Sequence, residues 1–341
     1  MYYLCPIQFT AILMLQRFFQ QYKGFLRHLK ASYILNNLLN ISRLRHNKNL
    51  YRKYGIHKPL VSPLSKKDFA KTDHSGDVPW LDKPDALEQL KHNQFFINLD
   101  KKLQDSVVQF VQDGYLILEG FYQDKEIDAL NQEVATLLAE GKVGYNFTGR
   151  KVFNLWEMSE LANKHFFRNP ELLDLLSFLL GKRVIPFQSM NFTLGSEQRA
   201  HSDAIHMTTE PPGYLIASWT ALEDISPGSG ELEYYPGSHQ IPFISTADYN
   251  SGNNYFTLGQ DSNRHYENKI AEIIAEKGLE KKVFLPKRGD VLIWHSNLLH
   301  GGSAISKPGT TRKSMVCHYY AEDVICYHEM TQRPALMPKE L

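Results

Sequence analysis

The first 67 residues contain no aspartate or glutamate, yet they carry twelve lysines and arginines. All 37 acidic residues fall in the other 274, against 26 basic ones, so a net charge of +1 conceals two regions of different electrostatics. Cysteine is also scarce. Cys5, Cys317 and Cys326 form an odd set without paired spacing, which argues against a disulfide framework and for a reducing compartment, the cytoplasm by default. Long apolar runs are missing as well: the stretch from Ile7 to Leu15 is interrupted by Gln8 and Thr10 and stops at Gln16-Arg17, short of the ~20 residues a spanning helix requires. Met1 to Pro6 has no positive charge and no small-residue cleavage pattern follows, so a secretory signal is not expected. There is no internal repeat and no low-complexity tract.

What remains is a globular composition, 43% hydrophobic and 22% charged, in a chain of 341 residues that has room for one large domain or two ordinary ones. From Ile7 to about Leu44 apolar residues recur at helical spacing, among them Ile12, Leu15, Phe18, Phe19, Tyr22, Phe25, Leu26, Leu29, Tyr33, Leu35, Leu38 and Leu39. One or two amphipathic helices are expected, and residues 1–67 read as a basic helical extension. Two uses are open: docking on an anionic membrane or acidic partner protein, or packing the apolar stripe on the rest of the chain. No nucleic-acid-binding motif accompanies the charge.

Pro59, Pro63, Pro79, Pro84 and Ser75-Gly76, without sustained periodicity, suggest a connecting arm, placed at residues 68–105 ahead of a domain spanning 106–341. Asp113-Gly114 turns into an apolar strand, Tyr115 to Leu118. A helix follows from Asp124 to near Gly141, and a second is punctuated by Asn169 as N-cap, Pro170 in its first turn and Gly181 past its end. Val184 to Phe192, Tyr214 to Leu222, Glu231 to Tyr235, Val291 to Trp294 and Ser314 to Tyr320 read as strands, interrupted by a helical insertion near 266–276. The expected fold is mainly β with flanking helices, a double-sheet jelly roll of the cupin-like kind with the helical extension in front.

The chemistry concentrates at His201-Ser202-Asp203, which opens strand-like sequence. If that run is extended, both metal-binding side chains emerge on one face. His300, in Trp294-His295-Ser296-Asn297-Leu298-Leu299-His300-Gly301-Gly302, is the third candidate. Two histidines and one carboxylate on one side of a metal suit a non-haem iron(II) oxygenase.

Taken in order, His201-x-Asp203, Trp219-Thr220-Ala221-Leu222, Gly228-Ser229-Gly230-Glu231-Leu232, Pro236-Gly237-Ser238-His239, Gly289-Asp290, His300-Gly301-Gly302-Ser303 and Arg312 resemble the phytanoyl-CoA dioxygenase family. The resemblance covers roughly residues 106–322. It implies a double-stranded β-helix, iron(II) held by His201, Asp203 and His300, and 2-oxoglutarate as cosubstrate, with its far carboxylate on Arg312. Trp219, Ser303 and Gln188 become further candidates for cosubstrate contact. The resemblance also implies hydroxylation of a small organic or carrier-linked acyl substrate, with release of succinate and CO2. Retention of Asp203 favours oxygen insertion over halogenation, since related halogenases carry a small residue there.

Departures from the family are Ser202, where glutamine is frequent, and the doubled glycine that displaces Ser303 by one position. His295 competes with His300 as the distal ligand, but lacks the following Gly-Gly turn. His206, Met207, Thr208 and Thr209, with Asn154 and Trp156, are candidates to face substrate. Two other classes are weighed: a non-catalytic jelly-roll scaffold recruited through its basic helices, and a zinc hydrolase on the same ligands, whose general base would have to be Glu210.

Overall fold

The computed structural model describes residues 28–70, 77–146 and 148–338. The helical pattern expected over 7–26 lies outside the described residues, as do Cys5 and Ser75-Gly76. Helices α1 (Lys30–Leu39) and α2 (Asn47–Lys53) come first, followed by α3 (Ala86–His92), α4 (Gln94–Ile97) and α5 (Lys101–Asp113), which leads into strand β1 (Tyr115–Leu118).

Short helices therefore occupy most of the later part of the segment expected as a connecting arm at 68–105. The prolines precede these helices rather than interrupting them, and polar side chains start the later ones. Asn93 accepts from the amides of Phe95 and Phe96, and Asp100 accepts from that of Leu103. Helix α5 stops at Gly114, whose φ of 81° and contact with the His239 ring leave no room for a Cβ.

Helix α6 (Asp124–Ala139) starts with a capping box between Gln123 and Glu126. Strand β2 (Lys151–Phe153) precedes α7 (Pro170–Leu180), in which Asn169 caps the Leu172 amide and Gly181 takes the left-handed conformation, as expected. The strands continue as β3 (Val184–Phe192), β4 (Thr208–Glu210), β5 (Leu215–Ala221) and β6 (Leu232–Tyr234). Beyond helix α8 (Ser262–Lys277) lie β7 (Lys282–Phe284), β8 (Val291–His295), β9 (His300–Gly302), β10 (Ser314–Ala321), β11 (Ile325–His328) and β12 (Arg333–Pro334).

Three antiparallel sheets result, in the orders β1-β8-β5-β10-β3-β2, β7-β6-β9 and β12-β11-β4. The first is buried on both faces, which explains its nearly continuous apolar strands. One face meets the helices through Val291, Ile293, Met315 and Tyr319, packed with Phe110, Ile127, Leu130, Leu172 and Leu176. The other carries Tyr115, Ala217, Trp219, Leu292, Trp294 and Val316, which meet Leu232, Tyr234 and Phe284 of the smaller β7-β6-β9 sheet. That space between two sheets is the interior of a jelly roll. Burying each large apolar side chain there stabilises the fold by ~1.5–3 kcal/mol.

The later part of the extension is built onto this framework. Tyr51, Tyr54, Leu64 and Phe69 cluster with Ile325 and Tyr327 of β11, and the Phe69 and Tyr327 rings stack with centroids 5.6 Å apart. Among the described residues no helix is long and apolar enough to cross a membrane.

Candidate metal and cosubstrate site

His201 and His300 are neighbours across an isolated antiparallel bridge. The His201 amide donates to the His300 carbonyl and the His300 amide to the His201 carbonyl, both at 2.9 Å. This pairing fastens β9 of the small sheet to the residue that begins the His-x-Asp motif. Ser202 is extended, so Asp203 projects toward the same space, but the run does not continue as a strand. Asp203–Ile205 form a 3-10 turn, held by the Ala204 amide donating to the Ser296 carbonyl at 3.0 Å. The Tyr266 hydroxyl of α8 accepts from the Ser202 amide at 2.9 Å, so the helical insertion props the motif from outside.

One ligand atom from each of His201, Asp203 and His300 lies within 4.8 Å of the others, and all three side chains are buried. Each histidine presents Nδ1 to a nearby main-chain carbonyl, His201 to Arg199 and His300 to Leu298, both at 3.0 Å. With the proton held there, the Nε2 lone pair faces the cluster. Two neutral imidazoles and a carboxylate gathered on one side form a donor set that fits iron(II). Burial pushes the His201 imidazole well below its usual range, with the His300 ring adding to the effect, and so favours the neutral, metal-binding form.

Asp203 is steered by two side chains that the interior pleat brings together. Trp294 pairs with Ala217 on one side and His318 pairs with it on the other, so the small alanine lets the two large side chains converge. The Trp294 indole donates to Asp203 Oδ2 at 2.8 Å, and His318 Nε2 lies 3.3 Å from the same oxygen. Oδ1 is left toward His201 and His300, at 3.9 and 3.7 Å from their Nε2 atoms. Burial works against the charged carboxylate, but His300, His318 and His201 outweigh it and hold Asp203 well below the ordinary carboxylate range.

The cavity at this cluster is lined by His201, Asp203, His300, Trp219, Arg312 and Lys151, among others. Arg312 is 3% exposed, and its guanidinium lies 5.3 Å from the Phe192 ring centre and 5.6 Å from that of Trp219. It makes no ion pair among the described residues, and its Nε has no hydrogen-bond partner. Burial lowers its pKa to about 10, with Glu223 and Glu231 opposing, so it remains a cation at neutral pH. Lys151 brings a second ammonium, 5.3 Å from the centre of the Phe192 ring. A buried cation without a counter-ion is a site for an anion.

Not every expected residue arrives. Ser303 Oγ donates to Glu233 at 2.6 Å, and Ser303 is not among the cavity-lining residues. Gln188 pairs with His318 on the neighbouring strand and is likewise absent from the lining. His295 lies on the other face of β8, 3.2 Å from Asp82, so it does not compete with His300. Asn154 is tied up by the Ser189 amide, and the Trp156 ring stacks on Phe167.

Met207, Thr208, Thr209 and Glu210 line a larger cavity of about 290 Å³ that shares no lining residue with the metal cavity. Glu210 pairs there with Lys66 at 2.8 Å and does not line the metal cavity, where a zinc hydrolase would need its general base. His206 is nearer the cluster, its ring centre 5.7 Å from that of His201, and burial lowers its pKa to about 4. Lys151 and His318 were not singled out as site residues by sequence reasoning, because only strand register reveals their place.

A jelly roll with this donor set and a buried arginine in the same cavity defines an iron(II)- and 2-oxoglutarate-dependent dioxygenase. The chain belongs to the phytanoyl-CoA dioxygenase family, whose model matches residues 110–314. It is 24% identical over 278 residues to an ectoine dioxygenase of Bordetella parapertussis, covering 73% of this chain and 83% of that one. It is 22% identical over 287 residues to the peroxisomal phytanoyl-CoA dioxygenase of Rattus norvegicus, covering 71% and 80%. Among solved structures it is similar to the non-heme, alpha-ketoglutarate-dependent epimerase SnoN from nogalamycin biosynthesis. That match has a TM-score of 0.51 and 18% identity over 65% of this chain and 84% of that one, a likeness of fold.

Proposed function

We propose that the chain hydroxylates a small organic or carrier-linked acyl substrate, with iron(II) on His201, Asp203 and His300 and 2-oxoglutarate anchored by Arg312. The observation that carries this reading is the buried, unpaired guanidinium of Arg312 in the same cavity as the three metal-binding side chains. A dicarboxylate chelating a metal there has its far carboxylate free for a planar, bidentate donor. Bound iron with this cosubstrate supplies the oxidising power, while cosubstrate breakdown yields succinate and CO2.

The protein's own contribution is positional. Main-chain carbonyls fix the imidazole tautomers, while Trp294 and His318 set the carboxylate. Phe192, Trp219 and Leu232 give the cavity an apolar lining around these groups. Lys151 faces the same cavity and adds a second cation for an anionic ligand. The relatives named for ectoine and for phytanoyl-CoA span a free small molecule and an acyl thioester, and both classes are retained here.

The test is uncoupled turnover of 2-oxoglutarate to succinate by the full chain. We expect it to depend on added iron(II) and to vanish in His201→Ala and Asp203→Ala. Folded, iron-loaded protein that releases no succinate, alone or with free acids and acyl thioesters supplied, would count decisively against the proposal.

A further inference from the structure

Helix α1 turns two polar side chains inward and leaves its leucines outward. Lys30 and Asn37 are buried, Asn37 to 2% exposure, whereas Leu35, Leu38 and Leu39, with Ile41 just beyond the helix, face solvent, Leu39 at 70%. Polar contacts hold the inward side: Lys30 Nζ donates to the Asn254 carbonyl at 2.5 Å, and Asn37 Nδ2 to the Val61 carbonyl at 3.0 Å. Positions 35, 38 and 39 share one helical face, so the leucines form a continuous stripe. A surface helix of a globular protein ordinarily turns such a stripe toward the core.

A second apolar feature sits at the start of the same helix. The Lys30 amide donates to the Phe256 carbonyl at 3.0 Å and the Leu258 amide to the His28 carbonyl at 2.8 Å, which clasps the 254–257 loop to the helix. That loop carries Tyr255 and Phe256, 85% and 74% exposed. Past the other end of α1, Arg45, Lys48 and Arg52 are exposed and make no ion pair among the described residues.

We propose that this face docks peripherally on an anionic lipid bilayer. Exposed leucines toward one end of the helix and an exposed aromatic pair at its start suit the boundary between headgroups and acyl chains, where an amphipathic helix lies in the plane of the surface. The first 67 residues hold twelve basic and no acidic side chains, so they are drawn to anionic headgroups, while the acid-rich remainder is repelled. The molecule is thereby oriented with the extension toward the membrane. A second copy of the chain would set basic surface against basic surface, which disfavours it as the occupant.

The experiment is co-sedimentation of the full chain with phosphatidylcholine vesicles, with and without phosphatidylserine, at low and high salt. Wild type is expected to partition at least ~10-fold more onto the anionic vesicles, with the preference lost at high salt. Leu35→Asn/Leu38→Asn/Leu39→Asn and Arg45→Glu/Lys48→Glu/Arg52→Glu are each expected to lower that partitioning ~10-fold. Uncoupled 2-oxoglutarate turnover should be retained, because neither set touches the metal cavity. The proposal is overturned if wild type ignores anionic vesicles, if both variants still bind, which would place the contact elsewhere, or if wild type is a dimer that the leucine variant disperses.

Discussion

The Trp294 indole Nε1 donates to Oδ2 of Asp203 at 2.8 Å, so the carboxylate oxygen turned toward the two histidines is Oδ1. In Trp294→Phe the ring still fills the interior, but one of the two side chains steering Asp203 is lost. Iron(II) affinity is expected to fall ~10–100-fold, the range for groups that orient a ligand from behind. Equilibrium metal titration of wild type and variant measures this. An unchanged affinity would mean that the indole merely packs.

Arg312 is expected to govern affinity for the keto acid rather than the chemical step. Arg312→Gln removes a charge-assisted, bidentate contact and should raise KM for 2-oxoglutarate by ~10²-fold or more, with kcat at saturation much less affected. Arg312→Lys should recover only part of this, because an ammonium cannot reproduce the planar fork. Initial-rate measurements across 2-oxoglutarate concentration decide the matter, and an unaltered KM in the Arg312→Gln variant would remove Arg312 from the role.

His239 offers a pH signature remote from the iron. Its ring packs against Gly114, and burial lowers its pKa to about 4, with the nearby His295 ring adding to the effect. The unfolded chain therefore takes up this proton first, near pH 6.5, and stability is lost as pH falls from there toward 4. Denaturant titrations of His239→Gln should show an acid-side decline between pH 7 and 4.5 that is shallower by ~2–3 kcal/mol. If the decline is as steep as in wild type, His239 titrates normally in the folded protein.

Sequence reasoning worked where structure is encoded locally. The bounds of Val184–Phe192 and the Asn169, Pro170 and Gly181 signals of α7 follow from residue types at neighbouring positions, and they agree with the fold. It did not find α5, whose inward face is carried by only a few apolar residues, Leu103, Val107, Phe110 and Val111, and where the prolines upstream suggested a loop. The strand expected through Asp203 became a turn because a distant carbonyl, that of Ser296, captured the Ala204 amide.

Long-range register was the larger obstacle. Nothing in the sequence marks His318 as a site residue, because its partner Asp203 lies far away in sequence and meets it only across the gap left by Ala217. Ser303 looked like a cosubstrate contact, yet its hydroxyl is engaged by Glu233. The extension's apolar stripe, read as a packing or docking surface, proved to face outward over Leu35, Leu38 and Leu39 because polar anchors at Lys30 and Asn37 took the inward side.

The reciprocal amide bonds between His201 and His300 fix the spacing of two of the three candidate metal ligands through the main chain, independently of which ion they hold. This donor set does not by itself select iron, because cobalt, nickel and zinc bind nitrogen and oxygen ligands at least as tightly as iron(II). The ion found in a purified sample would report what the cell supplied more than what the protein prefers.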